Sequence, residues 1–338
     1  MRTPTFFRFA TLLTLAGFLA GCSKLVVLNP AGDVAAQQGN LVIVATVLML
    51  LIIVPVIGVT LLFAWRYRQG SPHAETDYAP DWHHSTKLEL VIWAAPLMIV
   101  IALGAITWIS THKLDPYRPL DRISAGKALP ANVKPLVVEV VSLDWKWLFV
   151  MPELGIATVN ELAAPVDHPI HFKLSSSSTM NAFYVPDLAG MIYTMPGMQT
   201  ELNAVINKPG VYRGMSSHYS GSGFSGMTFK FHGLSEQDFA QWVARAKAEG
   251  PALNRASYLA LARPSERHPV ERFSSVEDGL FDRVVNLCVE EGKACMHEVM
   301  AQDAARQRAH VSGRALELAA RQDICTVADA SLDLTARR

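Results

Sequence analysis

Soft, redox-active metals such as copper are held by thiolate sulfur and imidazole nitrogen, with thioether sulfur as a weak axial ligand. The stretch Tyr212–Phe231, YRGMSSHYSGSGFSGMTFKF, has the shape of a loop that mounts such a metal. It is Gly-rich, carries Met215, His218 and Met227, and runs into the alternating apolar residues Met227, Phe229 and Phe231, which suit a half-buried strand. What it lacks is a thiolate. No cysteine lies between Cys22 and Cys288. Two readings follow. Either His218 with Met198, Met215 and Met227 forms a substitute Cu(I) site, or the methionines are adaptable packing and His218 faces solvent.

Other chemistry-bearing residues stand apart from this loop. Glu89 lies beside Lys87 and Leu88 at the start of a long apolar run. A carboxylate at a membrane boundary is a functional candidate, and the positive end of its own helix is the competing explanation for its presence. Glu75 and Asp77, a few residues earlier, read as solvated charges. Cys288, Cys295 and Cys325 fall in a polar, Ala-rich tail, and three cysteines cannot all pair within one chain. On one continuous helix Cys288 and Cys295 would stand roughly 10 Å apart, too far for a disulfide. A break at Gly292 would let them close, which an oxidising compartment favours. A disulfide, free thiols and a soft-metal cluster with Met296, His297 and Met300 remain the readings of this tail.

The elements that must position these residues divide the chain of 338 residues. A positive start at Arg2 and Arg8, a short apolar run and the tetrapeptide Leu19, Ala20, Gly21, Cys22 read as a signal peptide over 1–21. That tetrapeptide is similar to a bacterial lipoprotein cleavage box, which would make Cys22 the lipid-modified, palmitate-bearing first residue. Leu41–Phe63 and Leu90–Ile109 are long enough and apolar enough to cross a bilayer, with Pro55 and Pro96 as kink sites. Arg66, Arg68 and Lys87 place the connection between them in the cytoplasm, and the N-terminus and everything after Ile109 outside. Residues 111–133 are Pro-rich and read as a linker. From Lys134 to Leu234, short β-prone runs separated by Pro, Gly, Ser or Asp predict an antiparallel sandwich. From Ser235 to Leu287 the pattern turns helical. Phe239, Trp242, Val243 and Ala246 form one apolar face, a short helix follows over Ala256–Leu261, and Ser275 with Asp278 suits the cap of a third helix ending at Val285. The polar tail occupies 288–338. A formal net charge of zero with no basic stripe argues against nucleic acid as a partner.

Two spans, an outer β-domain and the Gly-rich loop together resemble subunit II of the haem-copper respiratory oxidases. In the cytochrome c oxidases of that family the outer domain is a cupredoxin Greek-key sandwich. It holds the dinuclear CuA centre on an upstream His and a loop of pattern Cys-x-Glu-x-Cys-x-x-x-His-x-x-Met. Aligned on Met227, the cysteine positions carry Ser216 and Ser220, the glutamate position His218 and the loop histidine position Phe224. The upstream histidine corresponds to Asn181 in NAFYVP. A serine hydroxyl cannot bridge two coppers as a thiolate does, and Phe224 offers no donor. LDWKWLF, GIATVNE, PGMQT, YSGSGFSGM and PSERHPV resemble instead the quinol-oxidase branch of cytochrome bo type.

That resemblance implies a two-helix membrane hairpin, a cupredoxin-like sandwich and an added C-terminal helical region. It implies a subunit without a redox cofactor of its own, in a bacterial inner-membrane complex that oxidises ubiquinol, reduces oxygen to water and pumps protons. The haems and CuB are then expected in subunit I, with small subunits III and IV as further partners and no cytochrome c. It also implies a proton-entry role for Glu89, and packing roles for Trp145 and Trp147, which sit where the cytochrome c oxidases admit electrons. The competing class is a membrane-anchored lipoprotein that handles copper through its Met, His and Cys residues.

Overall fold

The computed structural model describes residues 25–73, 81–130, 132–308 and 310. The signal-peptide and lipidation reading, with Cys22, therefore lies outside the described residues, as do Glu75, Asp77 and Cys325. The two apolar runs are helices longer than their uncharged cores: α1 spans Asp33–Arg66 and α2 spans Thr86–Lys113. Each adds polar turns at its ends, because Asp33–Asn40 and Ser110–Lys113 continue the backbone ladder outside the apolar stretch. Pro55 and Pro96 sit inside these helices without ending them.

The segment expected as a linker carries a small hairpin, β1 (Arg122–Ser124) with β2 (Lys127–Ala128). It is held on the sandwich by Asn207, whose Nδ2 donates to the Ile123 carbonyl at 2.9 Å. The strands β3 (Leu136–Leu143), β4 (Lys146–Met151), β5 (Ile156–Val159), β6 (Glu161–Pro165), β7 (Pro169–Ser176), β8 (Asn181–Tyr184), β9 (Ile192–Thr194), β10 (Thr200–Val205), β11 (Gly210–Ser216) and β12 (Thr228–Leu234) follow. They form a six-stranded sheet ordered β10-β7-β3-β4-β5-β14 and a five-stranded sheet ordered β6-β12-β11-β8-β9. The sixth strand of the first sheet, β14 (Glu271–Phe273), comes from the C-terminal region. The pairs β3–β7 and β6–β12 are parallel and the others antiparallel.

The six-stranded sheet is covered on both faces, and the sequence of β4 shows how. Trp147, Phe149 and Met151 point into the sandwich core with Phe172, Phe183 and Phe231, while Leu148 and Val150 point the other way. There they meet Leu253, Tyr258, Leu261, Phe281 and Val284 of the C-terminal region. That region contributes α3 (Glu236–Ala248), β13 (Ala252–Leu253), α4 (Arg255–Leu261), β15 (Ser275–Val276) and α5 (Leu280–Val285). Ser235 caps α3 by accepting from the Asp238 amide at 3.1 Å, and Trp242 and Ala246 form its buried face. Asn254 and Ser257 cap α4 reciprocally. The expected capping of α5 by Ser275 is not found. Ser275 is spent in β15, and Gly279, in the left-handed conformation, opens the helix instead.

Candidate functional site

The loop between β11 and β12, with a single 3-10 turn at Phe224–Gly226, lies against β8 and Trp145. Ser216 is buried at the end of β11, and Asn181 is buried at the start of β8. The Ser216 Oγ stands 3.2 Å from Asn181 Oδ1 and 3.1 Å from the His218 carbonyl, two acceptors for its one proton. It also accepts from the Ala182 amide at 3.5 Å. Asn181 Nδ2 donates to the Thr179 carbonyl at 3.2 Å. The position of the first thiolate and that of the upstream imidazole are thus joined by a direct hydrogen bond.

The other candidate ligands do not converge. The Ser220 carbonyl accepts from Trp145 Nε1 at 3.0 Å, and its buried hydroxyl has no partner among the described residues. Half-buried His218 meets the edge of the Tyr193 ring, and Phe224 that of Tyr219. Met227 is deep in the sandwich core, Met215 is half-buried and Met198 is exposed. An amide, two hydroxyls, one imidazole and scattered thioethers do not fit a thiolate-bridged copper pair, which needs soft anionic sulfur between its ions. His218 is partly exposed, with its ring T-shaped against that of Tyr193.

Trp145 adopts a positive φ of 65°, which turns its indole under the loop. A Cβ at Gly223 would stand 2.4 Å from that ring, so only glycine lets the loop lie flat on it. Trp147 is fully buried, edge-on to Phe183 and Phe229.

Far from this loop, Glu89 occupies the first turn of α2. His84 Nδ1 lies 2.8 Å from Glu89 Oε1, both side chains are about half exposed or more, and Thr86 Oγ1 lies 3.2 Å from His84 Nε2. His84 is a partner that sequence reasoning missed, although the HHST run before the helix was the signal for it. In the tail, Cys288 and Cys295 form a disulfide across the break at Gly292, whose φ is 76°. Neither sulfur is then a free thiolate ligand.

The family described as "Cytochrome C oxidase subunit II, periplasmic domain" matches residues 137–233, and "COX Aromatic Rich Motif" matches 247–292. The cytochrome bo(3) ubiquinol oxidase subunit 2 of Pseudomonas aeruginosa is 48% identical over 282 residues, covering 83% of this chain and 82% of its own. The ubiquinol oxidase subunit 2 of Acetobacter aceti is 48% identical, covering 81% and 85%. The quinol oxidase subunit 2 of Bacillus cereus is 38% identical, covering 77% and 87%. The chain belongs to the ubiquinol oxidase subunit 2 family.

Within this oxidase subunit the aromatic-rich motif coincides with the C-terminal region that covers the outer face of the six-stranded sheet. One of its contacts was not read from the sequence as a site. Lys146, fully buried, donates through Nζ to the Arg263 carbonyl at 2.8 Å and to Ser265 Oγ at 2.6 Å. Ser265 Oγ lies 3.0 Å from His268 Nδ1, and His268 Nε2 lies 3.0 Å from Glu271. Burial lowers the Lys146 pKa, opposed by the charges of Asp144 and Glu271. This chain of polar groups ties the loop 263–271 to β4. Its only sequence signal was PSERHPV itself. Next to this chain, Glu161 is held at a pKa of about 2 by His232 and by Arg272, one residue further along β14 than Glu271. It stands 3.3 Å from the first and 2.8 Å from the second, which staples β14 onto β6.

Proposed function

We propose that this chain is the subunit II of a proton-pumping, bo-type quinol:oxygen oxidoreductase and carries no redox metal itself. Residues 22–110 serve as a lipidated anchor with two spans, 134–234 as the sandwich outside the membrane, and 235–287 as its cover. The catalytic work falls to subunit I, where the haems and CuB reside and where ubiquinol and oxygen react. The chain docks on subunit I beside the small subunits III and IV in the inner membrane, anchored through Cys22, and admits protons near Glu89. The observation that carries the reading is the Asn181–Ser216 hydrogen bond, which occupies two metal-ligand positions with groups that satisfy each other.

Metal and haem analysis of the complex purified through a tag on this chain tests the proposal. Haem with a single copper per complex, and no absorption from a thiolate-bridged copper pair, is the expected result. Additional copper stoichiometric with this chain would overturn it. For Glu89, the variant Glu89→Gln is expected to slow turnover and proton uptake in the assembled complex, and Glu89→Asp to restore most of both. Unchanged rates in Glu89→Gln would leave that carboxylate as a helix-end charge only.

A further inference from the structure

At the junction of α1, α2 and the sandwich, a polar basin of about 230 Å³ opens at the end of the membrane hairpin. Asp33, Gln37, Lys113, Asp115, Arg118 and Arg122 line it. A second, mostly apolar groove of about 350 Å³ runs away from it between the two helices, walled by Leu41, Val44 and Ile106. The two are continuous: Gln37, Lys113 and Leu114 belong to both. Asn40 and Ser110 mark the passage from polar to apolar walls.

The charges in the basin are unevenly paired. Arg122 donates to Asp33 at 2.8 Å, Gln37 donates to the same Asp33 oxygen at 2.8 Å, and Arg118 pairs with Asp121 at 3.2 Å. The Lys113 side chain, at the end of α2, has no hydrogen bond or ion pair among the described residues. The Asp115 carboxylate accepts from the Tyr117 amide at 3.0 Å and pairs with no cation among the described residues. One ammonium and one carboxylate, two residues apart in sequence, therefore remain unmatched in the basin, Lys113 where it meets the groove and Asp115 further in the basin.

We infer that this basin and groove form a binding site for one membrane phospholipid with a zwitterionic, ammonium-bearing headgroup. Its phosphate lies against Lys113, its ammonium against Asp115, and an acyl chain follows the groove along Leu41, Val44 and Ile106. The inference rests on the proposal that α1 and α2 span the membrane. The apolar cores of both helices end within about two turns of Lys113 and Gln37, which places the basin at headgroup depth. A headgroup of both signs suits a pocket whose free groups are one of each. A purely anionic headgroup would leave Asp115 facing a like charge.

Photo-crosslinking in the intact complex tests the site. The tagged complex is reconstituted with phosphatidylethanolamine carrying a diazirine on its acyl chain, irradiated and mapped by peptide mass spectrometry. Label is expected on α1 near Leu41 and Val44 and on α2 near Ile106. Lys113→Glu is expected to cut that label about tenfold, since charge reversal near a membrane surface removes one favourable contact and adds a repulsion. Asp115→Lys is expected to let phosphatidylglycerol compete where it did not before. Label absent from both segments in a complex that retains its haem would overturn the site and leave the subunit reading standing, as would label indifferent to Lys113→Glu. A tagged chain that brings down no haem would sink the subunit reading itself.

Discussion

The exchange of ligand for non-ligand at Ser216, Ser220 and Phe224 was legible in the sequence because it depends only on residue type along one short loop. The partners of those residues were not, since Asn181 meets Ser216 from 35 positions away. The hydrogen bond makes Ser216 a structural residue in its own right. Ser216→Ala leaves Asn181 Oδ1 short of a donor and the Ala182 amide short of an acceptor, both in the core. The expected cost is about 1–3 kcal/mol, read as a lower midpoint in thermal melting of the purified complex, with Ser216→Thr as a milder control that keeps the hydroxyl. Glu139, on β3 beneath the C-terminal cover, makes the opposite case. Burial pushes its carboxyl up to about 7, the Lys173 charge opposes this, and Asp282 adds to it. A raised carboxyl pKa means stability that is complete below the unfolded value of 4.5 and lost as pH rises through about 7. Glu139→Gln is therefore expected to flatten the decline in stability between about pH 4.5 and about pH 7. A decline as steep as that of the parent would show that Glu139 does not cause it.

At the level of elements, the strand runs and the α3 face were readable, but what they faced was not. LVVEVVSL and KWLFVM lose strict alternation because both faces of their sheet are buried, so period alone cannot assign a side. β14 escaped notice for a simpler reason: three residues in a loop-like context, Glu271–Phe273, carry no period at all. The membrane helices were found by composition, while their polar extensions depended on backbone continuity and not on hydropathy. In the tail, sequence left disulfide, thiol and metal readings open, and the geometry of the Gly292 break decides among them. The disulfide joins buried Cys288, just after α5, to Cys295, just before a helix over 296–308. His297 reinforces it by pairing with Asn286 Oδ1 at 2.9 Å. Replacing both cysteines by serine is expected to cost about 2 kcal/mol through the entropy of the opened loop. Proteolysis should then cut first after Leu287, and hydrogen exchange should rise in 296–308 before it rises in the sandwich.

On the scale of the whole molecule, the membrane hairpin is sewn to the sandwich by backbone as well as by side chains. The amides of Ala31 and Gly32 donate to the Asp187 carbonyl at 3.0 and 2.8 Å, and the Asn207 amide donates to the Ala31 carbonyl at 2.8 Å. Gly32 forms an isolated antiparallel bridge with Ile206, and Asp33 follows at once, buried against Arg122. Helix α1 thus starts as a strand-like extension of the β-domain. A lone glycine before a helix gave no sign of this in the sequence, because the close approach involves backbone from two distant segments. A Cβ at Gly32 would stand 2.6 Å from both the Leu188 and the Val205 carbonyl oxygens, and neither is a flexible side-chain end. Gly32→Ala must therefore push the helix start away from the sheet, at an expected cost of about 1–3 kcal/mol. Ala31 and Val34 belong to the same core cluster as Leu188 and Ile206 of the sandwich, so the loss should appear first at the junction and be felt in the core beside it. Limited proteolysis between α2 and β3 should accelerate, and the outer domain should part from the haem-bearing complex at a lower temperature. Gly104→Ala, where a Cβ meets nothing within 4 Å, provides the matched control. If Gly32→Ala melts and cleaves like Gly104→Ala, the backbone seam does not hold the two halves together, and the side-chain contacts, with Asp33–Arg122 and Lys208 to the Pro30 carbonyl among them, must carry the junction.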